Sequence, residues 1–147
     1  MGSRENAWQA TCRRIEEAAR AAGRPAGAVR LLAVSKTFPA EDIRAVHALG
    51  QRAFGENYVQ EAATKRAALA DLPDIEWHLI GPLQGNKARV AAELFDWVET
   101  IDRPRIAERL VLSPSTVKTH LEHIYDKLGV GDRSAAVAIA VRTGLVA

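Results

Sequence analysis

The chain has 147 residues, of which 48% are hydrophobic and 26% charged, and a net charge of +2. The length is enough for one domain or two very small ones, and the composition is typical of a globular protein. Its apolar runs are much shorter than the roughly 20 residues of a membrane-spanning helix, and the start of the chain lacks the apolar core of a signal peptide. Cys12 is the single cysteine, which excludes an intrachain disulfide. We therefore expect a cytoplasmic protein without a membrane segment.

The charge is unevenly distributed along the chain. The first 103 residues carry no net charge, and the remainder carries the whole +2. Such a tail is mildly compatible with nucleic acid, but it lacks the strongly basic stripe that would indicate nucleic-acid binding by itself.

Hydrophobic periodicity predicts strands that alternate with helices over the first 103 residues, which is typical of a parallel sheet. After that point the pattern is helical only. The predicted strands are 29–34, 53–57, 75–81 and 97–101. The predicted helices are 6–22, 41–50, 58–70, 86–94, 104–110, 114–128 and a last one from 132 or 134 to about 143.

Three polar side chains stand at or near the carboxyl ends of the predicted strands: Lys36, Asn57 and His78. Ligands bind at the carboxyl ends of strands in barrels and open α/β sheets. The sequence therefore predicts one polar site that contains all three.

The segments LAVSKT (32–37), FGENYVQE (54–61) and WHLIGPLQGNK (77–87) carry a resemblance. Residues 4–103 resemble the N-terminal half of the pyridoxal-phosphate homeostasis proteins, which have the alanine-racemase N-terminal type of barrel. The resemblance implies that Lys36 forms a Schiff base with pyridoxal phosphate, and that Asn57 and His78 lie around the cofactor ring. A lysine suits this role because its neutral amine attacks an aldehyde.

The resemblance also defines what this chain lacks. The family's barrel has eight strands and this chain has four, so the loops that grip the phosphate after the last strands have no counterpart. Binding of pyridoxal phosphate is then expected to be weak or absent. The alternative for Lys36 is a leftover rim lysine, for His78 a strand-end residue satisfied by backbone, and for Asn57 a turn residue. The sequence shows no acid or base opposite Lys36, and we predict no enzyme, no catalytic residue and no metal site.

The last part of the chain has a helix-turn-helix pattern. Residues 105–147 resemble the DNA-binding domain of LuxR-type response regulators, with segments IAERLVLSPSTVKTHL (106–121), YDKLGV (125–130) and RSAAV (133–137). The second helix of such a motif enters the major groove. The predicted DNA-facing residues are Ser115, Thr116, Lys118, Thr119 and His120. The family's first helix is absent, so the alternative is a purely structural tail, and we expect DNA binding to be weak if it occurs.

The two resemblances meet at residues 102–110. The segment IAERL (106–110) fits both a barrel helix after the fourth strand and the first helix of a helix-turn-helix pattern. Our leading hypothesis is therefore a chimera, natural or engineered, with no evolved activity. The alternatives are residual pyridoxal-phosphate binding through Lys36 and DNA binding through the helix at 114–128.

These patterns predict an α/β protein with a four-stranded parallel half-barrel sheet flanked by helices, merged with a C-terminal helical segment. We expect residues 1–103 and 104–147 to pack as one combined domain. A half-barrel exposes two strand edges and an apolar inner face, so we also expect a homodimer.

Overall fold

The structure is a computed structural model that describes residues 2–110, 129–131 and 133–142. It divides into two compact units, Met1–Ile101 and Asp102–Ala147. The helices of the first unit are α1 (Gly2–Ala21), α2 (Ala40–Ala48), α3 (Val59–Ala68) and α4 (Ala88–Leu94), the last preceded by a 3₁₀ turn at Gly85–Lys87. Its strands are β1 (Ala33–Val34), β2 (Ala53–Glu56), β3 (Glu76–Leu79) and β4 (Trp97–Val98).

The four strands form one parallel sheet in the order β1-β2-β3-β4. Parallel strands joined in sequence order by right-handed crossovers place their helices on one face of the sheet. This face carries Phe54, Trp77 and Leu79, which are all almost fully buried. The predicted α/β class, with a four-stranded parallel sheet flanked by helices, is confirmed.

β1 is much shorter than the predicted strand over 29–34. The buried side chain of Gln51 gives the physical reason, because its Nε2 donates to the carbonyl oxygens of Leu31 and Ala53, both at 2.7 Å. This amide takes the place of a ladder hydrogen bond between the two strands. Its Oε1 accepts a 3.0 Å hydrogen bond from Trp8 Nε1, which ties α1 to the same point.

The described part of the second unit contains α5 (Pro104–Arg109) and α6 (Arg133–Arg142). Pro104 occupies the first turn of α5, where its missing N–H costs nothing, and Ile106 and Ala107 are buried. The predicted helix over 114–128 lies outside the described residues. The packing of the two parts as one combined domain stays a prediction.

Candidate functional site

The face of the sheet opposite the helices carries a row of residues in register, Val34, Gly55, His78 and Trp97. We call this face the inner face and the helix-covered one the outer face. Val34 and Trp97 are 51% and 55% exposed. Lys36 and Asn57 come shortly after the carboxyl ends of β1 and β2, which are neighbouring strands of the sheet.

Lys36 is exposed and lies in a tight turn over residues 35–38. Phe38 N donates a 3.1 Å hydrogen bond to Ser35 O, which closes the turn. Thr37 has a φ of +68°, a backbone conformation that β-branched residues rarely adopt. The described part of the chain offers Lys36 itself no hydrogen bond or ion pair, so its amine is available to a ligand.

A buried charged cluster lies behind this turn, and we call Glu56, Glu61 and Lys65 the anchor cluster. Lys65 Nζ donates to both carboxylate oxygens of Glu56, at 2.8 and 2.9 Å, and to Glu61 Oε1 at 2.7 Å. Its third partner is Ser35 O at 2.8 Å. Glu56 is 0% exposed and Lys65 is 6% exposed. Charged groups that are buried this deeply need hydrogen-bond partners, and the charged groups of the anchor cluster have them.

The anchor cluster contacts both neighbours of Lys36. Ser35 Oγ donates to Glu56 Oε1 at 2.5 Å, and Thr37 N donates to Glu61 Oε1 at 2.6 Å. The hydrogen bond from Lys65 lowers the pKa of the Glu61 carboxyl below its usual value, and the Thr37 amide lowers it further. Glu61 is therefore held as a carboxylate that fixes the turn.

Asn57 is half-buried and follows β2 directly. Its backbone packs against Gly81, where an added Cβ would fall 2.3 Å from Asn57 O. Thr100 Oγ1 donates to Gly81 O at 2.5 Å. Only a glycine permits this close approach, which fixes the backbone of Asn57 relative to the end of β3.

His78 lies within β3, one row below the level of Lys36 and Asn57. It is 6% exposed, and its ring stacks on Trp97 with centroids 5.9 Å apart. Nδ1 lies 2.8 Å from Glu99 Oε1, so it carries the proton when the imidazole is neutral and Nε2 presents a lone pair. Within the described residues Nε2 is buried and has no hydrogen-bond partner. A buried polar atom of this kind calls for a partner.

Lys36 and Asn57 thus follow neighbouring strands of the parallel sheet, whereas His78 lies inside its strand rather than at its end. The grouping of the three residues in one site stays a prediction. The predicted DNA-facing residues, Ser115, Thr116, Lys118, Thr119 and His120, lie outside the described residues. The anchor cluster escaped the sequence analysis. Two signals could have found it: the i, i+4 spacing of Glu61 and Lys65, and a charged Glu56 in an otherwise apolar strand.

A cleft of about 220 Å³ lies between α1, β1 and α2. Its lining is mostly apolar and includes Ala7, Phe38 and Val46, so it does not suit a phosphorylated ligand. The described residues hold no group of three or more metal-ligating side chains placed to bind a metal ion. Among the described helices, none has the length and apolarity to cross a membrane.

The chain is similar to several curated proteins named pyridoxal phosphate homeostasis protein. It is 61% identical to that of Pseudomonas aeruginosa over 97 residues, which cover 66% of this chain and 42% of the relative. It is 54% identical to that of Escherichia coli over 99 residues, with coverages of 66% and 42%. The Haemophilus influenzae protein is 42% identical over 127 residues, with coverages of 86% and 53%. The chain thus spans about half the length of these relatives.

Solved structures give the same result. PipY of Synechococcus elongatus with PLP bound matches with a TM-score of 0.57 and 54% identity, covering 65% of this chain and 45% of PipY. A protein of unknown function from Bifidobacterium adolescentis matches with a TM-score of 0.67 and 35% identity, covering 71% and 47%. The fold of the first unit is therefore similar to part of the PipY fold.

Residues 102–140 match the family of LuxR-type bacterial regulatory proteins. This match begins at the first residue of the second unit. Both predicted resemblances are thus confirmed: the front of the chain is similar to part of the pyridoxal phosphate homeostasis proteins, and the second unit carries a LuxR-type helix-turn-helix segment.

Proposed function

We propose that this chain is a chimera, without an activity that evolved for the fused protein, whose first unit retains weak binding of pyridoxal phosphate through Lys36. The observation that supports the proposal is the exposed Lys36 at the end of β1, next to the strand that Asn57 follows in the parallel sheet. We also propose that the protein is cytoplasmic and that it is not an enzyme.

Groups near the carboxyl ends of the strands fit this ligand. Lys36 supplies an exposed amine, which in its neutral form would be the nucleophile for the aldehyde carbon, with the carbonyl oxygen leaving as water. Asn57, whose backbone packs against Gly81, provides an amide at the end of β2. Within the described residues His78 Nε2 has no hydrogen bond, and its ion-pair partner is Glu76 Oε2 at 3.8 Å.

The expected affinity is lower than that of a complete barrel. The matched parts cover 42% of the Pseudomonas aeruginosa relative and 45% of PipY. In barrels of this kind the phosphate binds in loops after the last strands, which contribute backbone N–H donors. A ligand held by Lys36 without those donors binds weakly.

The test is a titration of the purified chain with pyridoxal phosphate, followed by absorbance and by mapping of the borohydride-reduced adduct. We expect saturable binding in the wild type and loss of it in Lys36→Ala. Lys87→Ala, which removes a lysine from the 3₁₀ turn, is the matched control and should bind like the wild type. An adduct spread equally over all lysines would refute the proposal.

DNA binding by the second unit is the second candidate function, because residues 102–140 match the LuxR-type family. We propose weak, salt-sensitive binding in which Lys118 and His120 contact phosphates or base edges, next to Ser115, Thr116 and Thr119. A DNA titration at low and moderate salt tests this. Lys118→Ala should weaken binding and flatten the salt dependence, whereas Lys87→Ala should not. Absence of binding at low salt would end this candidate.

We also propose that two copies of the chain associate through the inner face and the strand edges. In the described part of the chain, β1 and β4 each pair with a single neighbouring strand. Val34 in β1 and Trp97 in β4 are half exposed. Such edges and apolar surface favour association. Sedimentation equilibrium should give twice the monomer mass for the wild type and the monomer mass for Trp97→Lys. A wild-type monomer at micromolar concentration would contradict this.

A further inference from the structure

The turn that carries Lys36 is attached to the rest of the first unit on both sides of the lysine. On one side, Ser35 is held through its carbonyl by Lys65 Nζ at 2.8 Å and through its hydroxyl by Glu56 at 2.5 Å. On the other, the Thr37 amide donates to Glu61 at 2.6 Å. The two held residues flank Lys36, whose own side chain is exposed.

The backbone of this turn is strained. Thr37 has a φ of +68°, and a side chain with a branched Cβ makes that conformation costly by about 1–2 kcal/mol. Strained residues persist where their surroundings hold them, and they are frequent at functional sites. The hydrogen bond from the Thr37 amide to Glu61 is the contact that holds it here.

Stability alone does not explain why charges occupy this position. Taking Lys65 and Glu56 out of water is costly, and packed apolar residues of similar size are often equally stabilising. Apolar side chains, however, could not bond the backbone of Ser35 and Thr37. The chemistry that the anchor cluster adds is therefore the fixing of this turn.

We propose that the anchor cluster of Glu56, Glu61 and Lys65 is a positioning device that sets where the Lys36 amine is presented at the end of β1. This inference rests on the proposed function, since it concerns how the same lysine meets pyridoxal phosphate. None of the three residues touches the ligand. Glu61 is the best residue for a test of this device, because its side chain is 28% exposed. When the Glu61 carboxylate is removed, Lys65 still has its hydrogen bonds to Glu56 and to Ser35 O.

The experiment compares Glu61→Ala and Glu61→Gln with the wild type. Gln retains a side-chain oxygen that can accept from the Thr37 amide, whereas Ala does not. Glu93→Ala, which removes an exposed glutamate from α4, is the matched control. The three measurements are the dissociation constant for pyridoxal phosphate, the induced circular dichroism of the bound chromophore and the hydrogen-exchange protection of the Thr37 amide.

We expect Glu61→Ala to weaken binding about tenfold, because small misplacements of a reacting group have effects of this size or larger. The induced circular dichroism should fall, and the Thr37 amide should lose protection. In Glu61→Gln the affinity, the induced circular dichroism and the protection of the Thr37 amide should stay close to the wild-type values. Glu93→Ala should change none of the three. A purely structural role for Glu61 would lower the unfolding temperature without altering the dichroism per bound ligand.

Two failures are distinguishable. If wild-type binding does not depend on Lys36, the proposed function is wrong and the positioning role falls with it. If binding depends on Lys36 but Glu61→Ala leaves the dissociation constant within twofold and the dichroism unchanged, the positioning role alone is overturned. An unprotected Thr37 amide in the wild type would also overturn it.

Discussion

Replacement of Lys65 by methionine should strongly destabilise the first unit. The substitution keeps the length of the side chain and removes the ammonium group, which makes hydrogen bonds to Ser35, Glu56 and Glu61. Glu56, which is 0% exposed, would then remain as a buried carboxylate that keeps, among the described residues, the hydrogen bond from the Ser35 hydroxyl. Removal of one member of a buried ion pair costs about 3–5 kcal/mol.

This loss is large against the roughly 5–15 kcal/mol by which a domain is usually stable. Urea unfolding followed by tryptophan fluorescence measures it. Arg44→Ala is the matched comparison, because it breaks an ion pair with Asp71 whose side chains are 45% and 60% exposed. Exposed pairs contribute little, so we expect this variant to unfold close to the wild type.

The double variant Lys65→Met with Glu56→Leu separates charge burial from packing. It removes both charges, so most of the stability lost in Lys65→Met should return. The positioning of the turn should not return, because Ser35 has lost both side-chain partners. The reasoning is refuted if Lys65→Met unfolds no earlier than Arg44→Ala.

Four further changes follow from the same contacts. Gln51→Leu removes three hydrogen bonds of a buried amide and should cost about 2–3 kcal/mol in urea unfolding; an unchanged midpoint would contradict this. Thr37→Gly should raise stability by up to about 1 kcal/mol through relief of strain, yet weaken pyridoxal-phosphate binding; tighter binding would count against the positioning role. Gly81→Ala should cost about 3 kcal/mol in thermal unfolding, since its Cβ would meet Asn57 O at 2.3 Å. Because the pKa of Glu61 is lowered, its carboxylate stabilises the folded state above about pH 4.5, and this contribution fades as the pH falls through the folded-state value. The free energy of unfolding should therefore change less between about pH 6 and about pH 3 in Glu61→Gln than in the wild type. An equal change in the two proteins would refute the stabilising role of the Glu61 carboxylate.

Much of the first unit could be predicted from its sequence. Short apolar runs between amphipathic segments predict a parallel sheet, and the strands form in the predicted order. The lengths of the strands could not be predicted, because they depend on tertiary contacts. Gln51 reads as a polar residue in a turn, but in the fold its amide bridges Leu31 and Ala53 and so ends the ladder of β1.

The candidate site, too, could be predicted only in part from the sequence. The sequence is enough to predict that Lys36 and Asn57 follow two parallel strands, and both residues come shortly after neighbouring strands of the sheet. The lone pair of His78 could not be predicted, because it depends on Glu99 reaching Nδ1 from the neighbouring strand. Parallel pairing fixes that contact, and the sequence does not reveal which carboxylate lies opposite.

The anchor cluster holds the Lys36 turn from nearby in the chain. Its contacts with Ser35 and Thr37 come from β2 and α3, and these elements lie within 40 residues of Lys36 along the chain. The lysine and its support therefore belong to one local unit. The phosphate contacts of a complete barrel come from distant strands. Truncation of such a barrel should thus separate the two parts of the binding energy, keeping an amine in position while the phosphate loses its donors. The measurable consequence is a small difference in affinity between pyridoxal phosphate and pyridoxal, which lacks the phosphate, with both dependent on Lys36.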